Sequence, residues 1–428
     1  MRLEAPQLAR LIGAGIPAGP LPSAGGVTFH SGRVNAGDVF FALPGEQGHG
    51  IEHADDALAR GAAFVVSDRP HPLALAVADP RTALLQLGAY ARTQLRAPVV
   101  AISGSVGKTS TKTLAAAALA ADASEGNLNT PYALAATLVG SWLQGGDRPL
   151  VLELGIDRPG EMDELLDLVR PSHALLTSIA ESHLDGLGDL AGVAREKARL
   201  LERTPERFAS VQAAGLLPAR PAGLVPYGLS GEAGVTAEAT ADGAGGQRLD
   251  ALGVSVLLPG QGEAAATNAL GALALARHLG PDLRAAAMRM AAARAEPGRL
   301  QRKRAGERLI LDDTYNSNPA SAREALSVLR SCPGPHVAVL GDMLELGRFS
   351  ARLHRELGAA TRGLDRVVAI GGAAREIASG NPDATAVASF EEALPLLEAL
   401  PERGTVLVKA SRGMRLERVV SALEGMSG

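Results

Sequence analysis

Residues 101–111 read AISGSVGKTST, and how this stretch is understood decides the architecture around it. It closes an apolar run, PVVAIS, that reads as a buried strand, and it opens KTLAAAALAAD, an alanine-rich helix. Between them Gly104, Ser105, Val106, Gly107, Lys108, Thr109 and Ser110 form a strand–loop–helix junction. Glycines let backbone N–H groups turn around phosphate oxygens, and the helix N-terminus adds a favourable dipole. Lys108 would reach the β- and γ-phosphates as a point charge, and the Thr109 hydroxyl would bind Mg²⁺. The longer GxxxxGK[ST] form needs glycine at 102, where this chain has Ile102, so the match is to the shorter GxxGK[ST] form. A glycine turn that merely caps a helix is the competing reading, and the flanking strand and helix weigh against it. Taken alone the loop specifies a nucleoside triphosphate and leaves kinase, ATPase and ligase open.

Outward from this loop the chain alternates apolar strands with helices. PLVLELG and HALLTSIA follow as strands, TNALGALALARHLG as a helix ending at Gly280, and the Ala/Gly/Pro-rich stretch 210–262 as a small antiparallel insertion. Upstream, VTFHSGRV, DVFFAL and AAFVVSD read as strands, HADDALARG and 81–95 as helices, and Leu3, Leu8, Leu11 and Ile12 as one face of a short helix. Downstream, RLILDD, HVAVLGD, DRVVAIG and TVLVKAS are strands separated by helices, with no GxGxxG loop to suggest a dinucleotide. The pattern predicts an α/β protein of three domains: a small α/β domain over 1–82, a mostly parallel P-loop domain over 83–298, and a Rossmann-like domain over 299–428.

Composition narrows the function classes. The chain has 428 residues, 46% of them hydrophobic, and a net charge of −4, which argues against a nucleic-acid or anionic-membrane surface as the main partner. Cys332 is the single cysteine, no apolar run approaches a membrane span, and the first residues lack the pattern of a signal peptide. A soluble intracellular protein is expected. Only five of the 42 basic residues are lysine: Lys108, Lys112, Lys197, Lys303 and Lys409. A lysine kept in so arginine-rich a chain is a candidate for work that needs a compact ammonium or a deprotonable amine. Lys303, inside the basic run QRKR, reads as accidental.

Three residues downstream of the loop suggest metal chemistry. Glu153 ends the strand of PLVLELG, where a carboxylate can hold Mg²⁺ beside the phosphate loop. His183, in AESHLDG, lies just past the end of the next strand. Lys197 sits in the helix of VAREKARLL. A lysine cannot ligate Mg²⁺ unless carbamylated by CO₂ to a carboxylate, a reaction closed to arginine. On the residues alone, a surface lysine is the stronger reading of Lys197.

The ordered series GRVNAGDVFFALPGEQGHG, GSVGKTSTK, GNLNTP, LELGIDRPGEM, SIAESHLDG, EPGRL, DDTYNSNPAS, VLGDMLELG and LVKASRG resembles the Mur ligases of peptidoglycan synthesis over nearly the whole chain. DDTYNSNP and GDMLELG resemble the branch that adds D-alanyl-D-alanine to a UDP-N-acetylmuramoyl-tripeptide. The resemblance implies an ADP-forming ligase, a cytoplasmic monomer with ATP and Mg²⁺, whose first domain holds the nucleotide-sugar precursor. It further implies that Lys108 and Thr109 bind ATP phosphates and the first Mg²⁺ with Glu153, and that His183 and a carbamylated Lys197 hold the second. Asn127 would stand near the transferred phosphate, Asn268 at adenine, and Arg299 and Asp313 at phosphate and ribose. Ser31 would face the precursor, and Tyr315, Asn316 and Lys409 the cleft. The chain departs from the family pattern at His30, Ser31 and Gly32, where Asp-Ser-Arg is usual and Arg33 follows one place later. It departs again at Ala264 and Ala265, where His-Asn is frequent, and in GNLNTP, which lacks a second adjacent asparagine.

Overall fold

The computed structural model describes residues 1–428 except 18, 46–47, 231, 242–245, 259, 295 and 427–428, so part of the GEQGHG segment lies outside the described residues. Three sheets follow one another along the chain. The first is parallel, in the order Gly26–Thr28, Asp38–Phe41, Phe64–Ser67, Ala74–Ala76. VTFHSGRV is not a strand throughout: pairing stops at Thr28, and Ser31–Arg33 is a 3₁₀ turn. The polar HSGR run has no apolar alternation to hold it on a pleated face.

Val99–Ser103 lies at the heart of the second sheet, all five residues buried, between His173–Leu176 and Leu150–Glu153 and parallel to both. Burial on both faces explains the continuous apolar run. Glu206–Ser210 and Val225–Gly228 extend the sheet, and Val235–Ala241, Gln247–Ala251 and Val254–Leu258 finish it as an antiparallel meander, which is the insertion expected over 210–262. The third sheet runs Gln301–Ala305, Glu307–Asp313, Arg403–Lys409, His336–Gly341, Arg366–Ile370, Thr385–Val387, parallel apart from its first pair. Lys303, in that first strand, is not idle: its Nζ lies 3.1 Å from Asp312 Oδ2.

The strand ends deliver the chemistry. In parallel sheets the loops at the carboxyl ends converge on one side, and Glu153, the 177–183 segment, Asp313 and Lys409 all lie at or just beyond such ends. The helix Pro80–Gln94 locks the first sheet's domain to the second by packing on Pro131–Leu143. A Cβ on Gly88 would lie 2.6 Å from Ala135 Cβ and 2.7 Å from its Cα. Gly88→Ala is therefore expected to cost about 1–3 kcal/mol of stability through overpacking. Denaturation would check it, an unchanged midpoint contradicting the close packing.

The third sheet's domain is docked on the second. Asn318 Nδ2 donates to Ser105 O at 3.2 Å, Ala264 N donates to Glu324 Oε1 at 3.1 Å, and Arg352 lies 3.0 Å from Glu181. None of the described helices is long and apolar enough to cross a membrane.

Candidate active site

The loop after Val99–Ser103 is built for an anion. Gly107, the N-cap of the helix Lys108–Leu119, has φ 86°, and a Cβ there would meet Asn268 Oδ1 at 2.4 Å. Only glycine satisfies both conditions. The amides of Gly107, Lys108, Thr109 and Ser110 have no backbone or side-chain acceptor among the described residues. Four free N–H groups at a helix start are the donors a phosphate needs. The sequence reading is corrected for the two residues before them. Ser105 N donates to Ser178 O at 3.0 Å and Val106 N to Ser178 Oγ at 2.8 Å, so these amides hold the loop against the 177–182 segment. Gly104 is pressed on the same segment, where a Cβ would lie 1.9 Å from Thr177 Oγ1. Lys108 Nζ folds back to Gly104 O at 2.8 Å, and burial pushes its pKa down against the opposing pull of Glu153.

Glu153 is 1% exposed, not the open strand-end acid that composition alone would allow. Its Oε2 accepts from Thr109 Oγ1 at 2.7 Å and its Oε1 from Asn129 Nδ2 at 3.3 Å. Mg²⁺ takes oxygen ligands at about 2.1 Å in an octahedron, whose adjacent ligands stand about 3 Å apart. The Thr109 hydroxyl and Glu153 carboxylate put two oxygens 2.7 Å apart, close to the spacing of adjacent ligands in such a site. Asn127 lines the cavity without a side-chain hydrogen bond among the described residues; the asparagine that touches the carboxylate is Asn129. Lys112, 2% exposed, fixes that loop by donating to Ser124 O at 2.7 Å and to Gly126 O.

His183 stands in a left-handed turn, φ 52°, with Nδ1 2.8 Å from Asp157 Oδ1 and 2.6 Å from Glu345 Oε2. Burial lowers its basicity, but the two carboxylates outweigh it and raise the pKa; the same bond to His183 holds Asp157 below the usual carboxylate range. One ring nitrogen with two oxygens is also a donor set for a divalent ion, and the three ligand atoms lie within 4.8 Å of one another. Glu345 comes from the third sheet's domain, so docking completes this group. Neither Asp157 nor Glu345 was singled out from the sequence, although both sit in quoted motifs.

Lys197 is not a surface lysine. It is 1% exposed on the helix Leu190–Glu202, and its Nζ has no hydrogen-bond partner among the described residues. Burial, reinforced by the nearby Lys108 charge, pushes its pKa well below the ordinary lysine value, against the pull of Asp157 and Glu196. An amine in that setting is biased to its neutral, nucleophilic form.

A cavity of about 690 Å³ joins the second and third sheets' domains. Ser110, Glu153, His183 and Asn268 line it from one side, and Arg299, Asp313, Tyr315, Asn316 and Lys409 from the other. Lys409 does not present a free ammonium: it is 2% exposed and donates to Asp313 Oδ2 at 2.5 Å and Asn316 O at 2.9 Å. Asp313 Oδ1 meanwhile accepts from Leu300 N at 3.1 Å. Arg299 stacks on Tyr315 with Cζ 4.0 Å from the ring centroid, and Arg299 Nε and Tyr315 Oη are buried with no hydrogen-bond partner among the described residues. Ser31 lies in its 3₁₀ turn outside this cavity; its neighbour Arg33 reaches Glu125 at 3.2 Å.

With the geometry in hand, comparison with known proteins is specific. The sequence matches the model of the Mur ligase family catalytic domain over 24–111, the Mur ligase middle domain over 102–276 and the Mur ligase glutamate ligase domain over 298–412. It is 35% identical over 426 residues to the UDP-N-acetylmuramoyl-tripeptide–D-alanyl-D-alanine ligase of Escherichia coli (strain K12), covering 93% of each chain. To the enzyme of that name from Bacillus subtilis (strain 168) it is 29% identical over 425 residues, again covering 93% of each. The fold superposes on a crystal structure of MurF from Acinetobacter baumannii with a TM-score of 0.85, 29% identity and 99% of each chain covered. A MurF ligase from Thermotoga maritima in complex with ADP gives a TM-score of 0.78 at 26% identity, covering 94% of this chain and 97% of that one.

Proposed function

The chain belongs to the Mur ligase family, and on that footing we propose that it joins D-alanyl-D-alanine to the terminal carboxylate of a UDP-N-acetylmuramoyl-tripeptide. ATP is converted to ADP and phosphate, and the product is the pentapeptide precursor of peptidoglycan. The observation that carries this reading is the cavity between the two sheets' domains, which gathers Lys108, Glu153 and His183 against Arg299, Asp313 and Tyr315.

The chemical difficulty is that a carboxylate is a poor acyl donor. The tripeptide carboxylate therefore attacks the γ-phosphorus in line, displacing ADP and forming an acyl phosphate. The free amides of Gly107 to Ser110, Lys108 and Arg299 hold and neutralise the triphosphate. Thr109, Glu153 and His183 would hold Mg²⁺, which when bound supplies the positive charge that brings two anions together. Asn127 and Asn129 border the transferred group, Asn268 the adenine, and Asp313 the ribose. The dipeptide amine then attacks the acyl carbon, and the tetrahedral adduct collapses to amide and phosphate. Docking of the third sheet's domain keeps water from the acyl phosphate.

Lys197 is read as the site of a carbamate. Its neutral-leaning amine can add CO₂, and the added carboxylate would carry a negative charge into the neighbourhood of Lys108. Ser31, Tyr315, Asn316 and Lys409 are assigned to the substrates, Lys409 by fixing Asp313 and Asn316. ATP and a UDP-linked precursor are cytoplasmic substrates, which supports a cytoplasmic enzyme.

Phosphate release from ATP, with each substrate omitted in turn, tests the function. Release is expected only when the UDP-tripeptide and D-alanyl-D-alanine are both present, together with pentapeptide formation. Release that ignores both would identify a regulatory ATPase instead.

A further inference from the structure

One aromatic ring in the cavity, that of Tyr315, has two guanidinium groups close to it. Arg299 Cζ is 4.0 Å from the Tyr315 ring centroid and Arg412 Cζ 5.1 Å. The arginines face different neighbours. Arg299 stands close enough to Lys108 and Lys112 to depress the basicity of both, which puts it on the phosphate-loop side. Arg412 belongs to a segment held against the 344–345 stretch. Leu344 N donates to Ser411 Oγ at 2.9 Å, and a Cβ on Gly413 would lie 3.0 Å from Leu344 Cδ1. The next residue along, Glu345, is the one that meets His183 at 2.6 Å. Arg412 is exposed and lines the cavity, and its guanidinium makes no hydrogen bond or ion pair among the described residues. Asp157 and Glu345, both exposed, give the neighbouring wall a negative character.

We propose that Arg412 reads the free carboxylate of the incoming dipeptide, with its amine directed toward the acidic wall beside His183; this rests on the ligase reading above. An extended dipeptide separates ammonium from carboxylate by on the order of 7 Å. The adjoining 344–345 and 411–413 segments offer the two opposite charges side by side. A guanidinium laid on an aromatic face keeps its N–H edge free for two-point binding of a carboxylate, which an ammonium cannot reproduce.

The test compares D-alanyl-D-alanine with D-alanyl-D-alaninamide, whose terminus is neutral, at saturating ATP and UDP-tripeptide. The wild-type enzyme should prefer the acid by on the order of 10- to 100-fold in kcat/KM, the range for a charge-assisted contact. Arg412→Gln should raise the KM for the acid by a similar factor, leave the amide nearly unchanged and move the KM for ATP little, so that the preference collapses. Arg412→Lys should restore part of it. An acid/amide ratio unaltered in Arg412→Gln, or a rise in the ATP KM instead, overturns the assignment; the latter would give Arg412 to the nucleotide. Wild-type turnover of the unmodified dipeptide separately tests the function, and its absence would sink both.

Discussion

Replacing Lys197 with alanine is expected to remove nearly all ligation, on the order of 10³-fold in kcat, while the fold survives and added formate or acetate returns part of the activity. The side chain is 1% exposed with no hydrogen-bond partner among the described residues, so no native bond is lost with it. Truncation leaves a hole where the carbamate would stand, large enough for a small carboxylic acid. The rescue separates chemistry from packing: a side chain needed only for structure would not be replaced by a free carboxylate. Lys197→Arg should be inactive and resist rescue, because guanidinium keeps its proton and fills the hole. Full activity of Lys197→Ala, or inactivity that no acid relieves in a folded protein, would remove the carbamate from the mechanism.

Lys108→Ala should lower phosphate release by on the order of 10³-fold at saturating ATP. The residue is half-buried at the start of the helix Lys108–Leu119, with its ammonium turned inward to Gly104 O at 2.8 Å, poised to exchange that carbonyl for phosphate oxygens. Its loss removes the point charge that offsets repulsion between the attacking carboxylate and the γ-phosphate. The melting temperature should hold or rise, since burial opposes the charged form in the free protein. A rate unchanged in Lys108→Ala would refute the loop assignment.

Much of the site was legible because strand ends are a local property. Alternating apolar runs place Glu153, His183, Asp313 and Lys409 near carboxyl ends of strands, and parallel strands send those ends to one side. The lysines that scarcity singles out are mostly buried. Lys112, Lys197 and Lys409 are each 2% exposed or less, and Lys108 sits in the loop. Lys303, set apart from the others by its basic run, pairs with Asp312 across an antiparallel neighbour that no local pattern announces.

The three α/β units, the phosphate loop and its order relative to the acids can be read along the chain, because hydrogen-bonding periods and glycine backbone geometry act over a few residues. Which groups meet depends on the folded chain. Asn129 rather than Asn127 touches Glu153, Lys409 is spent on Asp313, His183 lies between Asp157 and Glu345, and Tyr315 lies close to Arg299 and Arg412. Those contacts join residues from separate loops, most of them far apart in the chain, through strand register and domain docking. Side-chain reach of a few ångströms then selects one partner over its neighbour, a choice that spacing along the chain does not encode.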